Sequence, residues 1–267
     1  MDSLNIIREK IIKGTTERDR RVEGVWGVDC LYSPEGNGRT FKFKFLLAQT
    51  AGLGCAYSAR ADYPPEELDK YIGTDFLAAK IDDTALEVAF MDSAYPAVEG
   101  AKPAYFETRD DVSVKKMRWR SELIYREAEH LLGKVEGADV VNVGVVGDIL
   151  TLFSERGANI VGTDYDAAIT GRKLFGKVDI IDGSRTLEQI ARSNLCIVTG
   201  MTITNRTIDG IIDCCAKNSV KIIVFAETGA NLGAYYAANG VDSYLGETFP
   251  FYIFNGPSRI DVYRRKG

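Results

Sequence analysis

From residue 139 onward, short runs of consecutive apolar residues alternate with segments of helical periodicity, and this rhythm constrains the fold more than any other feature of the chain. The runs are DVVNVGVV, NIVGTD, VDII, LCIVTG and VKIIVFAE. A strand apolar throughout is covered on both faces, which an antiparallel sheet open to water on one side does not require. Between the runs, segments such as TIDGIIDCCAKN place Ile208, Ile211, Ile212 and Cys215 at i, i+3, i+4, i+7, the spacing of a helix with one core-facing stripe. Residues 106–267 are therefore expected to form a Rossmann-like, doubly wound parallel sheet. The segment around Ala167–Leu174 is expected to supply one of its helices, and TFPFYIFNGPSRIDVYRR an edge strand or two, bounded by Pro250 and Pro257.

Residues 1–105 have a different rhythm. An amphipathic N-terminal helix puts Leu4, Ile7 and Ile11 on one face. RVEGVWGVDCLYS and TFKFKFLLAQ then alternate with period two, and residues 34–38 between them carry turn chemistry, so the pair reads as a hairpin. A third strand is expected in GCAYSAR. Helices follow in PPEELDKYIG and in DDTALEVAFMDSAY, where Leu86, Ala89, Phe90 and Ser93 share a stripe. Strands before helices imply an α+β domain with an antiparallel sheet, making the whole chain α/β with two domains, 1–105 and 106–267. The second opens with a helix over Ser121–Leu132.

Bulk properties exclude several functions. The net charge is −5, from 33 basic and 38 acidic residues, which disfavours nonspecific nucleic-acid binding. The two basic clusters, KKMRWR at 115–120 and YRRKG at the C-terminus, read as solvated surface. No run approaches the roughly 20 apolar residues that span a bilayer. Five cysteines without a repeated spacing fit a reduced, cytoplasmic protein. Cys55 is expected to be the most accessible of them, with Cys30, Cys196 and Cys215 as small core residues. The single histidine, His130, rules out a zinc site built on several imidazoles and makes a Ser-His-Asp hydrolase untenable. A homodimer is the expectation for a soluble chain of this size.

Ligands of open parallel sheets gather at the carboxyl ends of the strands, which directs attention to four junctions. In NVGVVGDIL, Gly144 and Gly147 sit at a strand-to-helix turn and Asp164 ends the next strand, in partial likeness to a dinucleotide fingerprint. Asn142 stands in place of its first glycine and Asp148 would repel a pyrophosphate, so NAD and FAD are disfavoured; tight turning and close packing account for the glycines. In CIVTGMTITNRTIDG, a helix cap needs one oxygen, whereas Thr199, Thr202, Asn205 and Thr207 supply several beside Gly200. Capping and a ligand floor both remain open. In FAETGANLGAYY, Glu227, Gly229 and Asn231 follow an apolar strand, and Glu227 could hold a metal or cation or act as a base. In QTAGLGCAYSAR, Gly52, Gly54 and Cys55 make a small-residue loop that is either a plain turn or a ligand-facing backbone. Cys55, Asp148, Asp164 and Glu227 are the candidate metal donors.

VTGMTITNRTID followed by IIVFAETGANLG resembles a family of bacterial and archaeal proteins named for heavy-metal chelation. Its members carry an Asn and a Thr after a strand-end Thr-Gly, and a domain similar to the N-terminal domain of enolase ahead of a Rossmann-like domain. The resemblance covers the whole chain. It implies a cleft between the domains lined by Thr199, Gly200, Thr202, Asn205 and Thr207, and a role in handling a transition metal or siderophore, with a link to anaerobic cobalamin metabolism. The Glu227–Asn231 loop departs from the family, which often reads Gly-Pro-Ser there. Enolase chemistry itself needs a barrel that this chain lacks. The expected ligand is thus a metal ion or, given how few soft donors are present, a metal already chelated by a small molecule. The competing expectations are an enzyme acting on a small anionic or phosphorylated metabolite, with Glu227 or Asp148 moving a proton, and a partner-binding protein without turnover.

Overall fold

The computed structural model describes residues 2–33, 40–60, 62–174 and 176–266. The first hundred residues form helices α1 (Ser3–Gly14) and α2 (Glu17–Arg20), strands β1 (Gly24–Tyr32), β2 (Phe41–Gln49) and β3 (Leu53–Tyr57), and helices α3 (Pro65–Asp69) and α4 (Thr84–Ala94). The three strands make an antiparallel sheet in the order β1-β2-β3, with Val28 opposite Phe45 and Leu47 opposite Cys55. The turn expected at residues 34–38 lies outside the described residues.

Period-two alternation along β2 serves two masters. Leu46 and Ala48 face α4, while Phe45 and Leu47 face a strap over 249–254 that reaches across from the second half. Helix α4 is buried nearly all round, not along one stripe, because it lies between the small sheet and the second half of the chain. Gly54 permits this: a Cβ there would sink into the Ala89 carbonyl oxygen and the Ser93 nitrogen of α4. Backbone cannot yield as a side chain can, so Gly54→Ala should destabilise the protein by about 1–3 kcal/mol. Urea denaturation checks it, and an unchanged midpoint would mean that β3 and α4 are not held in this close contact.

The second part runs β4 (Tyr105–Asp110), α5 (Ser113–Leu132), β5 (Asp139–Val143), α6 (Gly147–Glu155), β6 (Asn159–Asp164), β7 (Lys173–Leu174), β8 (Val178–Asp182), α7 (Thr186–Ile190), β9 (Leu195–Thr199), α8 (Met201–Thr204), α9 (Ile208–Asn218), β10 (Lys221–Ala226), α10 (Gly233–Ala238), β11 (Ser243–Thr248) and β12 (Pro257–Arg264). Its nine-stranded sheet has the order β4-β12-β11-β10-β9-β5-β6-β8-β7. Taken alone, the six parallel strands read 3-2-1-4-5-6, the Rossmann order, whose direction reverses between β5 and β9.

Several expectations need correction. The segment 165–172 is a series of turns and not a helix, so the β6–β8 crossover is irregular. β12 is not an edge strand but lies between β11 and β4; Pro257 is tolerated because it is the first residue of the strand. β11 is a strand for which the apolar-run reading had no candidate. Helix α5 begins eight residues before the expected Ser121, and its inner stripe includes Lys116 and Arg120, both buried. KKMRWR is therefore not a uniformly solvated cluster. Likewise Arg264 from the C-terminal cluster forks onto the buried Glu127 (2.7 and 3.0 Å). Cys30 is half-buried, because β1 is the edge of the small sheet.

The halves share a core. Leu4, Ile7 and Ile11 of α1 and Phe90 of α4 belong to the same apolar cluster as Val198, Ile208, Val224 and Tyr236. The Ser3 N–H donates to Asp209 (2.9 Å) and its hydroxyl meets that of Tyr236 (3.3 Å). The opposite face of the large sheet is covered by α5 and α6 through Leu123, Ile124, Ile149 and Phe153.

Candidate functional site

At the reversal point, the carboxyl ends of β5, β6, β8 and β9 surround a cavity of about 320 Å³. Its wall includes Gly144, Asp164, Thr199, Thr202, Asn205 and Thr207. Five residues singled out in sequence, Asp164, Thr199, Thr202, Asn205 and Thr207, are thus brought to one place. All the described lining residues fall between 143 and 211, so the cavity belongs to the Rossmann-like unit and none of the described residues among the first hundred roofs it. Those residues touch its rim through Arg206, whose guanidinium approaches Asp2 (3.7 Å) and Glu87 (3.2 Å). Arg206 has φ +60, in the left-handed region disfavoured for a side chain of this size.

Most of the hydroxyl surplus is consumed locally. Thr202 donates to the Thr199 carbonyl (2.8 Å), Thr204 to the Met201 carbonyl (3.0 Å), and Thr207 to Asn205 Oδ1 (2.6 Å). The same Asn205 oxygen accepts the Thr207 N–H, closing the turn into α9. Thr186 donates to Thr163 (2.9 Å) at the far wall. Thr199 is different: its Oγ1 is buried without a hydrogen-bond partner. A Cβ on Gly144 would collide with that oxygen, and Gly144 also holds φ +75, so glycine is required there twice over. Gly200 packs against the Thr228 carbonyl, where an added Cβ would stand at 2.5 Å, and so serves close packing and not ligand contact.

The fingerprint-like turn spends three of its N–H groups within the protein. The Gly144 N–H donates to the Thr163 carbonyl (3.0 Å), the Val145 N–H to Asp164 Oδ2 (2.9 Å), and the Val146 N–H to Asn142 Oδ1 (3.0 Å). These are donors a phosphate cradle would use, and Asp148 occupies the first turn of α6 behind them. Asn142, fully buried, thus replaces the missing first glycine by tying the turn with its side chain.

The third and fourth junctions turn out to be a weld. The Gly229 N–H donates to the Cys55 carbonyl (2.9 Å), and Thr228 Oγ1 accepts the Tyr57 N–H (2.8 Å). Asn231 Nδ2 donates to the carbonyls of Leu53 and Asp92 (both 3.0 Å). Asp92, fully buried on α4, accepts from the Cys55 N–H (2.8 Å) and the Asn231 N–H (2.7 Å). Burial pushes its carboxyl up to about 7, against the pull of those two N–H groups. Gly229 and Asn231 therefore spend their polar groups joining the two sheets. Gly52 and Gly54 pack on α4 and its following turn, and no ligand-facing loop is formed there. Cys55 is buried instead of accessible, and burial pushes its thiol well up, with Asp92 and Glu227 adding to the effect.

Glu227 does not line the cavity. It belongs to a cluster that sequence reasoning missed, centred on Arg120. Arg120 Nη2 lies 3.2 Å from Glu227 and its Nε 3.0 Å from Glu247, whose side chain is fully buried. The guanidinium is stacked between Phe225 (4.5 Å) and Tyr252 (3.8 Å). Nε, Nη1 and Glu247 Oε2 have no aligned hydrogen bond. Burial pushes Glu247 up to about 7 and also raises Glu227, with Arg120 opposing both shifts. Burial likewise raises Asp148, which feels Arg120 and Arg118. Lys116, one turn earlier on α5, donates to the carbonyls of Phe254 and Gly256 (2.7 and 2.8 Å) and so fixes the strap. The signal in the sequence was the i, i+4 spacing of Lys116 and Arg120 in phase with Ile124 and Glu127. Among the described residues, no three His, Cys, Asp or Glu side chains are grouped to hold a metal ion; Cys55, Asp148, Asp164 and Glu227 do not converge on one. Nor is any described helix long and apolar enough to cross a membrane.

No family model and no curated protein matches the chain. Solved structures do. A protein of unknown function from the DUF364 family of Desulfitobacterium hafniense superposes with a TM-score of 0.59 at 12% identity, covering 97% of this chain and 98% of its own. A DUF364 protein of unknown function from Pyrococcus horikoshii gives 0.56 at 13% identity, covering 99% and 100%. At such identities the likeness is one of fold, over essentially the whole length of both chains. A mandelate racemase/muconate lactonizing protein from Herpetosiphon aurantiacus also matches, at 11% identity and a TM-score of 0.39, covering 93% of this chain and 99% of its own, too distant to carry an argument.

Proposed function

We propose that the chain binds a small, oxygen-rich organic molecule in the cavity at the β5/β9 reversal, and that any transition metal it handles arrives there already chelated. The observation that carries this reading is a cavity at the strand ends of a Rossmann-ordered sheet whose wall includes Thr199, a residue with a buried and unpartnered Oγ1. A buried hydroxyl without a partner costs about 1–3 kcal/mol, which a ligand hydrogen bond would remove. The donor set suits a polar molecule better than a bare ion: around it stand hydroxyls and an amide with the carboxylate of Asp164, and no thiolate or imidazole. Gly210 adds support. It lies in the first turn of α9, and a Cβ built there meets nothing within 4 Å. Glycine is a poor helix former, so its presence at this wall is accounted for by the room that it leaves.

Two substitutions test the reading. Gly210→Ala should stabilise the free protein by about 0.5–1 kcal/mol through helix propensity, whereas Gly210→Phe should fill the cavity and abolish ligand-induced stabilisation. The measurement is thermal denaturation with transition-metal salts, the same metals as citrate and catecholate complexes, sugars and phosphorylated metabolites. A ligand at a hundredfold excess over Kd adds about 2.7 kcal/mol. Stabilisation by a polar molecule or chelate that survives in Gly210→Phe would place its site elsewhere and end the proposal.

A further inference from the structure

The geometry points to a ribonucleoside without a diphosphate as the part of the ligand that this cavity grips, an inference that rests on the cavity being the binding site. Three features carry it. Asp164 ends β6, the second strand of the Rossmann order, where a carboxylate accepts the two hydroxyls of a ribose in nucleoside-binding members of this architecture. Its carboxylate is held in place: Oδ2 accepts the Val145 N–H and Oδ1 the Asp166 N–H, each at 2.9 Å. An ionised carboxylate has about four acceptor positions, so one remains on each oxygen, side by side, for a vicinal diol.

The second feature is apolar. Tyr165, Leu187 and Met201 are 68%, 50% and 40% exposed, and all three stand on the wall of this cavity. The Tyr165 ring lies against Gly183, where a Cβ would be 2.8 Å from the ring carbons. Glycine at 183 thus lets the ring lie flat, with its outer face available to stack a base. Large exposed apolar groups concentrated around one polar cavity fit a ligand with a hydroxylated part and a flat aromatic part.

The third feature removes the commonest alternative. A dinucleotide also needs the phosphate cradle of the turn after β5, and the N–H groups of Gly144, Val145 and Val146 are all committed within the protein. Asp148 adds a negative charge at the same helix start. The ribose and base subsites are therefore open while the pyrophosphate subsite is shut.

Calorimetric titration of the intact protein with adenosine, guanosine, cytidine and uridine, with their 2′-deoxy counterparts, and with ADP and NAD+ tests this. At least one ribonucleoside should bind, its 2′-deoxy form at least tenfold more weakly, and the diphosphates no more tightly than the nucleoside. Tyr165→Ala should weaken binding at least fivefold and Gly210→Phe should abolish it. Asp164→Asn should erase the preference for ribose over deoxyribose. Because Asp164 also ties its own loop, the deoxy comparison on the unaltered protein stands independently of that variant. Equal affinity for ribose and deoxyribose forms, or tenfold tighter binding of ADP or NAD+, overturns the inference. If no nucleoside binds but a sugar or chelate does, and Gly210→Phe blocks it, the nucleoside assignment falls and the cavity reading stands; if nothing binds, both fall.

Discussion

Arg120→Leu should destabilise the protein by about 3–5 kcal/mol at pH 7.5, the cost of leaving a buried charge without its partner. Arg120 is the cation of a cluster in which Glu247 is fully enclosed and Glu227 is partly exposed. Leucine would keep some of the packing between Phe225 and Tyr252 but would leave both carboxylates without their cation, Glu247 in a fully enclosed setting. They would respond by holding protons to higher pH, so the penalty should shrink as pH is lowered towards 5. Arg120→Leu combined with Glu247→Gln should recover part of the loss at pH 7.5, although the strap contact from the Tyr252 N–H to Glu247 Oε1 (2.8 Å) would be weakened. Urea denaturation of both variants at the two pH values decides the matter. A loss below about 1 kcal/mol at pH 7.5 would mean that the carboxylates are already neutral there.

The second large effect is a fall in stability with rising pH, traceable to Asp92. Its carboxyl is pushed from an ordinary value of 3.8 to about 7 by burial. Between those values the folded chain holds a proton that the unfolded chain has released, so unfolding releases a proton and becomes easier as pH rises. The slope is about 1.4 kcal/mol per pH unit and the total about 4 kcal/mol across the window. Above about pH 7 the group is ionised in both states and the slope from this residue vanishes. Glu247, raised to about 7 from 4.5, contributes with the same sign. Asp92→Asn should therefore flatten the dependence between pH 5 and 7 without abolishing it. It should also cost stability throughout, because an amide nitrogen would face one of the two N–H donors. Equal slopes in the two proteins would show that Asp92 is ionised when folded.

The parallel strands were legible because an apolar run covered on both faces leaves no ambiguity of period. LCIVTG and VKIIVFAE are β9 and β10 almost residue for residue. The threonine cluster was legible for a related reason: the stripe Ile208, Ile211, Ile212 and Cys215 put Thr199 to Thr207 between a strand end and a helix start, although α9 begins at Ile208, later than a start near Thr204 or Asn205, and a short helix over Met201–Thr204 precedes it. What those hydroxyls do was not legible, since their acceptors are carbonyl oxygens two or three residues away, set by turn geometry. Asp92 and Asn231 are 139 residues apart, and no local pattern announces their contact. Cys55 looked accessible because small residues flank it, yet those glycines allow α4 to come close enough to bury it. Arg120 was hidden by composition, since four basic residues in six suggest solvent until the helix is extended back to Ser113.

The placement of β4 has a consequence for how the chain is assembled. It is the first strand of the large sheet in sequence, but its neighbour is β12, some 150 residues downstream, and α1 rests on α9 and α10 in the same way. During synthesis, Tyr105–Asp110 must wait for nearly the whole chain to emerge before it finds a partner. Because α1 and α4 share their apolar cluster with α9 and α10, cutting ahead of β4, between residues 102 and 103, should yield two fragments that aggregate separately and regain solubility only when refolded together.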